Sequence, residues 1–294
     1  MNIHNDALTF QSLATKRTTF VLATKNRSRF LSRALTRAKE LRQSDDELIV
    51  IDGGSRDDTL QVLRASSDFI DAIVSEPDFS EAHAINKGLL LARGLYIKLL
   101  TDDDVIYATG MKAALELMDN NPSVDIMICG GTKIVGGKPV TAYVPPGSGY
   151  GSSVESVFKY GACGIGLVLR RSALARTGLM NPNAVSVDQD YVVRAIASGA
   201  KVVFARIHLY EHPILPHSGA VARRAELERD LARIRAEFGT PVPRHVATLR
   251  ALRRWVGSIP YLGPPLTRVW RRSGRNRPQR LGTPPPPVWD GGFS

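Results

Sequence analysis

Two rhythms of apolar residues alternate through the first hundred positions. Short continuous runs, "TTFVLAT" (18–24), "ELIVID" (47–52), "FIDAIVS" (69–75) and "LYIKLLT" (95–101), predict strands buried on both faces. Between them the apolar residues recur every three or four positions. Over Arg29–Arg42 the set Phe30, Leu31, Ala34, Leu35, Ala38 and Leu41 lines one helical face, and shorter helices are predicted over about 57–64 and 80–93. Strand–helix alternation with crossovers of this length predicts a parallel, doubly wound sheet, whose ligands sit beyond the carboxyl ends of the strands. All four runs end in polar residues, so that rim is where chemistry is expected.

The second half is less regular. "VDIMICGG" (124–131), "GIGLVLRR" (164–171) and "KVVFAR" (201–206) read as strands, with a Gly/Pro-rich loop over 145–151. A helix is predicted over Val187–Ser198, stopped by Gly199, and a charged helix over Ala220–Phe238. From Gly239 onward Pro and Arg dominate, and "LGTPPPPVWDGGFS" is low-complexity and expected to be disordered. No internal repeat is found. The expected division is an N-terminal extension (1–16), one α/β domain (17–240) in two halves (17–104 and 105–240), and a basic tail (241–294).

Charge changes the picture at one end only. The net charge of +11 contains ten arginines within 244–280, a stretch without acids, and setting those aside leaves +1 for everything else. Basicity therefore belongs to the tail, where Val246, Leu249, Leu252 and Val256 recur at helical spacing and Trp255, Tyr261 and Trp270 lie among arginines. Arginine with interfacial aromatics suits an anionic membrane surface, a solvated tail being the alternative; nucleic acid is not an expected partner. No run is long enough to span a bilayer, and the first residues lack the apolar core of a secretory signal. Two distant cysteines, Cys129 and Cys163, fit no disulfide framework, which points to a reducing cytosol. The expected location is cytoplasmic, or peripheral on the inner membrane face.

The chemistry concentrates at the strand ends. "KLLTDDDVIY" places Asp102, Asp103 and Asp104 directly after the fourth apolar run, three like charges that call for something positive opposite them. "IDGGSRDDT" offers Asp52, Ser55 and Asp57 as hydrogen-bonding groups beside Gly53 and Gly54, which let the backbone approach a flat ligand; a turn capping a helix at Asp57 is the plainer reading. "VDQDYVVR" puts Asp188 and Asp190 in the first turn of a helix, with Arg194 four residues after Asp190 and placed to pair with it.

Four segments, "FVLATKNRSRFLSRAL", "ELIVIDGGSRDDTLQVL", "SEPDFSEAHAINKGLLLARGLYIKLLTDDD" and "VDQDYVVRAIASGAKVVF", resemble in order and spacing the inverting family 2 glycosyltransferases of the GT-A fold, over about residues 18–220. That resemblance implies a mixed, mostly parallel α/β sheet with helices on both faces. It implies a sugar transfer from a nucleotide-diphosphate donor, a UDP-sugar favoured, to a hydroxyl of a glycan or lipid-linked acceptor, in surface polysaccharide or glycolipid synthesis. It implies Mn²⁺ or Mg²⁺ as cofactor, with Asp103 as ligand, Asp102 near the ribose and Asp104 supporting either. Thr24, Asn26 and Arg27 fall where the family lines its nucleotide pocket, Arg27 being equally readable as a surface helix residue. Asp52, Gly54, Ser55 and Asp57 belong to the same pocket, while the family's second acid before the glycine is here Gly53. Asn86 and Lys87 are expected to face the rim, Lys87 toward a phosphate or ribose, and His83 reads as a local histidine. Asp188 takes the position of the general base, with Asp190 as the alternative. His217, rather than His212, resembles the loop histidine that reaches the metal or diphosphate. "YGACGIG" (160–166) matches the small-residue lining of the acceptor cleft. The alternative functions are a nucleotidyltransferase and a catalytically inactive, membrane-associated binding module.

Overall fold

The computed structural model describes residues 16–143, 145, 153–214 and 223–239. The apolar runs form one half of a single sheet, with β3 at its edge: β1 (Thr18–Thr24), β2 (Glu47–Asp52), β3 (Ala72–Ser75) and β4 (Tyr96–Leu100), in the spatial order β3-β2-β1-β4 and all parallel. Beyond β4 the sheet continues through β8 (Leu167–Arg170), β6 (Ile126–Val135), β9 (Val202–Pro213) and β5 (Val105–Ile106), with β7 (Lys138–Tyr143) paired on β6. β8 enters antiparallel to both β4 and β6, whereas β6 and β9 are parallel. The sheet is therefore mixed but mostly parallel, as expected.

Strand alternation sorts the core into two layers. Phe20 and Leu22 of β1 join the cluster that holds Leu31 and Leu35 of α1 (Ser28–Leu41) and Met111 and Leu115 of α4 (Ala108–Asn120). Val21, between them, points the other way into a cluster with Ala82, Ile85 and Leu89 of α3 (Glu81–Leu91) and Tyr191 to Val193 of α7 (Val187–Ala197). Helices on both faces bury both sides of β1, β2 and β4, which is why these strands read as unbroken apolar runs, while the edge strand β3 alternates, with Ile73 exposed. α2 (Thr59–Ala65), α5 (Val154–Tyr160), α6 (Leu174–Thr177) and α8 (Arg224–Phe238) complete the described helices.

Several boundaries move for local reasons. The third strand starts at Ala72 because Ser67–Phe69 close a 3-10 turn, and β8 starts at Leu167 because Gly164–Gly166 form another. β9 runs seven residues past the expected Arg206, to Pro213, held against β6 through register shifts at Cys129–Gly131. The polar residues in "RIHLYEHP" break the apolar run, so the pattern does not predict that extension, nor does it predict α4, α5, α6, β5 or β7. The extension matters: β5 pairs antiparallel with it, Val105 opposite Glu211, so the residue before β5, Asp104, falls beside His212. Most of the 145–151 loop, residues 1–15, His217 and the tail from 240 onward, including its expected membrane-binding residues, lie outside the described residues. Among the described residues no helix is long and apolar enough to cross a membrane.

α3 packs unusually close to the sheet, since a Cβ on Gly88 would lie 2.2 Å from Cγ1 of the buried Val21. A β-branched side chain in a full core cannot swing aside. Gly88→Ala is expected to lower stability by about 1–3 kcal/mol despite better helix propensity, read from chemical denaturation midpoints at constant slope.

Candidate active site

The carboxyl ends of β1, β2, β3 and β4 and the N-terminus of α7 converge on one cleft. At its centre the three neighbouring carboxylates of the β4 end divide between two positive groups, Arg27 for Asp102 and Asp103 and His212 for Asp104. Asp102 accepts hydrogen bonds from Arg27 Nε (2.9 Å) and Nη2 (2.7 Å) on one oxygen and from Thr24 Oγ1 (3.1 Å) on the other. Asp103 accepts from the same Arg27 Nη2 at 2.7 Å. Asp104 turns away, pairing with His212 Nδ1 at 2.7 Å and with the Thr101 hydroxyl. Arg27 is thus a cleft residue, not a surface helix residue; its guanidinium also lies 4.4 Å from the Phe30 ring. Burial raises the Asp102 carboxyl above its ordinary pKa, outweighing the Arg27 and Thr24 hydrogen bonds that oppose it. His212 moves up as well, chiefly through its bond to Asp104. One positive group below the rim was not foreseen. Lys98 is fully buried within β4, donates to the carbonyls of Leu99 and Ile165, and is pushed down to about 8 by desolvation.

The loops after β1 and β2 are stapled together. Asn26, at φ 53°, donates its N–H to Ser55 Oγ (2.7 Å) and accepts from Arg56 N–H (2.8 Å). Asp57 accepts from the N–H of Ser28 at 3.0 Å and from Thr59, which holds its carboxyl below the usual range. Asp52 sits beneath the pocket wall rather than in it. Its carboxylate is fully buried, with one oxygen on Ser75 Oγ at 2.7 Å and the other on the Ser55 hydroxyl, so the expected direct contact with base or ribose is not available in this arrangement. Asn86 is corrected in the same way: it is buried and clamps the backbone of Met180 through Nδ2 to O (2.8 Å) and N to Oδ1 (2.9 Å). Lys87 lies at the rim, paired with Glu76 at 3.0 Å. His83 stacks on the exposed Phe79 at 4.1 Å, and its buried Nδ1 has no hydrogen-bond partner among the described residues.

The two candidate bases are sharply different. Asp190 is 1% exposed and gripped by Arg194 Nε (2.7 Å) and Arg233 Nη2 (3.0 Å), the first being the expected i, i+4 pair and the second coming from α8. Asp230, also on α8, accepts the N–H groups of Val185 and Ser186, both at 2.8 Å, and so secures the entry to α7. Asp188 instead opens on the cleft. Among the described residues it accepts only backbone N–H groups, from Gly164 (3.0 Å) and Gln189 (2.8 Å), and desolvation raises its pKa. Gly164 belongs to "YGACGIG", so that segment positions a carboxylate.

Sequence reasoning missed Glu81 in the first turn of α3. Its carboxyl opens on the same cleft yet is ringed closely enough by protein that burial raises its pKa, with Asp188, Asp104, Asp103 and Asp102 adding to the effect. An acid at that position reads in sequence as a macrodipole preference and nothing more.

Comparison with known proteins follows the geometry. The profile of Glycosyl transferase family 2 matches residues 19–175, over half of the 294. Comparison of the sequence with curated proteins returns no match. Among solved structures, Staphylococcus aureus TarS 1-349 in complex with UDP-GlcNAc superposes with a TM-score of 0.62 at 15% identity, covering 75% of this chain and 66% of that one. The chain spans 37% of a longer TarS structure. The mannosyltransferase PcManGT from Pyrobaculum calidifontis, in complex with GDP-Man and Mn²⁺, superposes with a TM-score of 0.59 at 15% identity, covering 88% and 76%. Identities this low speak for the fold, and the matched profile speaks for the family: this chain belongs to glycosyl transferase family 2, a glycosyltransferase of the GT-A fold.

Proposed function

We propose that the protein moves a sugar from a nucleoside-diphosphate donor to an acceptor hydroxyl with inversion, and that Asp188 is the base. The acceptor oxygen attacks the anomeric carbon and the bond to the diphosphate breaks. Its electrons leave with the nucleoside diphosphate, and the hydroxyl proton passes to Asp188. The single observation that carries this reading is the contrast between the two acids of α7. Asp190 has both oxygens committed to arginines, while Asp188 is held by two backbone N–H groups, keeps free lone pairs toward the cleft, and has a raised pKa that makes it the stronger base.

A divalent cation, when bound, would neutralise charge developing on the leaving diphosphate. The donors present fit a hard ion: Asp103 has a carboxylate oxygen without a hydrogen bond among the described residues, and Asp104 is paired with His212. Among the described residues no three ligating side chains are gathered at one point, but one or two carboxylates with phosphate oxygens and water suffice for Mg²⁺ or Mn²⁺. Asp103 would hold it, with the His212 ring, fixed by Asp104, as a further donor; Asp104, whose two oxygens meet His212 and Thr101, would join only by exchanging one of those bonds, and His217 is outside the described residues. Arg27 supports the reading as the cation that faces Asp102 and Asp103 here, and the same guanidinium suits a phosphate. Thr24 and the stapled Asn26–Ser55–Asp57 wall, with Gly54 at φ 76°, give the nucleotide a preformed edge, and Lys87 lies within the same rim. TarS was seen with UDP-GlcNAc and PcManGT with GDP-Man, which makes nucleotide sugars the donors to test, a UDP-sugar first. The acceptor we propose is a glycan or lipid-linked glycan in polysaccharide or glycolipid synthesis.

Asp188→Asn is expected to lower transfer by about 10²–10⁴-fold, measured as nucleoside diphosphate released, while UDP binding with Mn²⁺ persists. Release of pyrophosphate instead would make the protein a nucleotidyltransferase. The sign of the stability effect separates the two acids. A raised folded-state pKa favours the protonated form, stabilisation that is lost as pH rises through that pKa, so at neutral pH the Asp188→Asn variant should melt no lower than wild type. Asp190→Ala should lose roughly 1–3 kcal/mol, less than for a fully buried pair because both arginines reach solvent. Wild-type turnover should rise with pH along a limb set above the ordinary carboxylate value of about 4, and Asp103→Asn should weaken UDP binding only when Mn²⁺ is present.

A further inference from the structure

The loop after β2 carries no side chain where it meets the loop after β3. A Cβ built on Gly53 would lie 2.0 Å from Oδ2 and 2.6 Å from Cγ of Asp78. The carboxylate of Asp78 therefore fills the volume that a side chain at 53 would fill, delivered from the neighbouring loop instead. Its other oxygen is held by Lys25 Nζ at 2.9 Å, and the same ammonium reaches the Asp78 carbonyl at 3.2 Å. No hydrogen bond to Oδ2 is found among the described residues, and the Lys25 side chain is 44% exposed. The Asp78 side chain is 10% exposed, so the pair sets a largely buried carboxylate oxygen, without a hydrogen-bond partner among the described residues, beside a cationic donor and against glycine backbone.

The position of this pair relative to the acidic cluster gives it a role. With a diphosphate at the β4 end, a donor lying across the parallel strand ends passes β1 and comes to β2 and β3, about 10–15 Å away at ordinary strand spacing. That is the distance from the diphosphate to the far edge of the base. We infer that Asp78, partnered by Lys25, selects the donor's base, admitting those with a ring N–H beside a carbonyl and rejecting those with a bare ring nitrogen beside an amino group. Uracil and guanine both offer the first edge, N–H to the carboxylate and C=O to the ammonium. Cytosine and adenine offer the reverse, setting a lone pair against the carboxylate and an N–H against the ammonium. The inference rests on the transferase reading above, because it needs the diphosphate seated at Asp102–Asp104.

Titration calorimetry of the full chain with UDP, GDP, CDP and ADP at fixed Mn²⁺ tests it. UDP or GDP, whichever the cleft admits, should bind about tenfold or more tightly than both CDP and ADP. Asp78→Ala should bring these affinities within about threefold of one another, and Lys25→Met, a change at a more exposed side chain, should narrow the ratio in the same direction. The double variant Gly53→Asp/Asp78→Ala returns a carboxylate to the vacated volume from the other loop and should restore the preference, which a merely structural role for Asp78 would not produce. Equal binding of all four by the wild type, or an unchanged ratio in Lys25→Met or a folded Asp78→Ala, overturns the inference and leaves the transferase reading standing. Binding of none of the four overturns the transferase reading itself, and this inference with it.

Discussion

Crowding of like charge at the end of β4 is the constraint around which the rest of this structure is arranged. Three successive carboxylates, with Asp188 and Glu81 facing the same cleft, cannot all be ionised close together and partly desolvated unless positive charge is brought to them. It comes from three directions: Arg27 from the loop after β1, His212 from the far end of β9, and Lys98 from inside β4 itself. Burial still raises Asp102, even with a guanidinium on one oxygen. A rim that gathers this many carboxylates suits a cation-bound diphosphate, which is the physical link between this fold and the transfer proposed for it.

The same need to place charges accounts for how the two acids of α7 divide their tasks. One helical turn carries both, yet Asp190 faces the protein and Asp188 the cleft, and α8 makes the difference permanent. Arg233 completes the grip on Asp190, and Asp230 takes the backbone N–H groups just ahead of the helix. A charged helix with only Ile234 buried is held on the protein chiefly by these polar contacts, and in return it fixes the direction in which Asp188 points.

Rigidity of the nucleotide side has a similar origin. Asn26 in the left-handed region, Ser55 and Asp57 spend their hydrogen-bonding groups on each other's loops, and Asp52 spends both oxygens on Ser55 and Ser75. Residues that looked like ligand contacts are largely occupied in holding the wall. A binding surface prepared in this way loses less entropy when a ligand arrives.

The sequence by itself determined the parallel core, since unbroken apolar runs alternating with amphipathic helices have few other ways to bury both faces. It also placed polar and acidic residues at the strand ends, and it placed the Asp190–Arg194 pair, because a four-residue spacing on a helix is a distance. What it could not determine were relations between residues far apart in the chain. That Arg27 faces Asp102, that β9 runs on through polar residues to bring His212 to Asp104, and that Asp52 and Asn86 turn inward were decided by strand pairing, register shifts and loop packing. Asp78 shows the reason most plainly: Gly53 reads as a missing acid, yet the space beside it is filled by a carboxylate twenty-five residues later. Local pattern fixes which groups exist and which way an element faces, while only the closed fold fixes which groups share a volume.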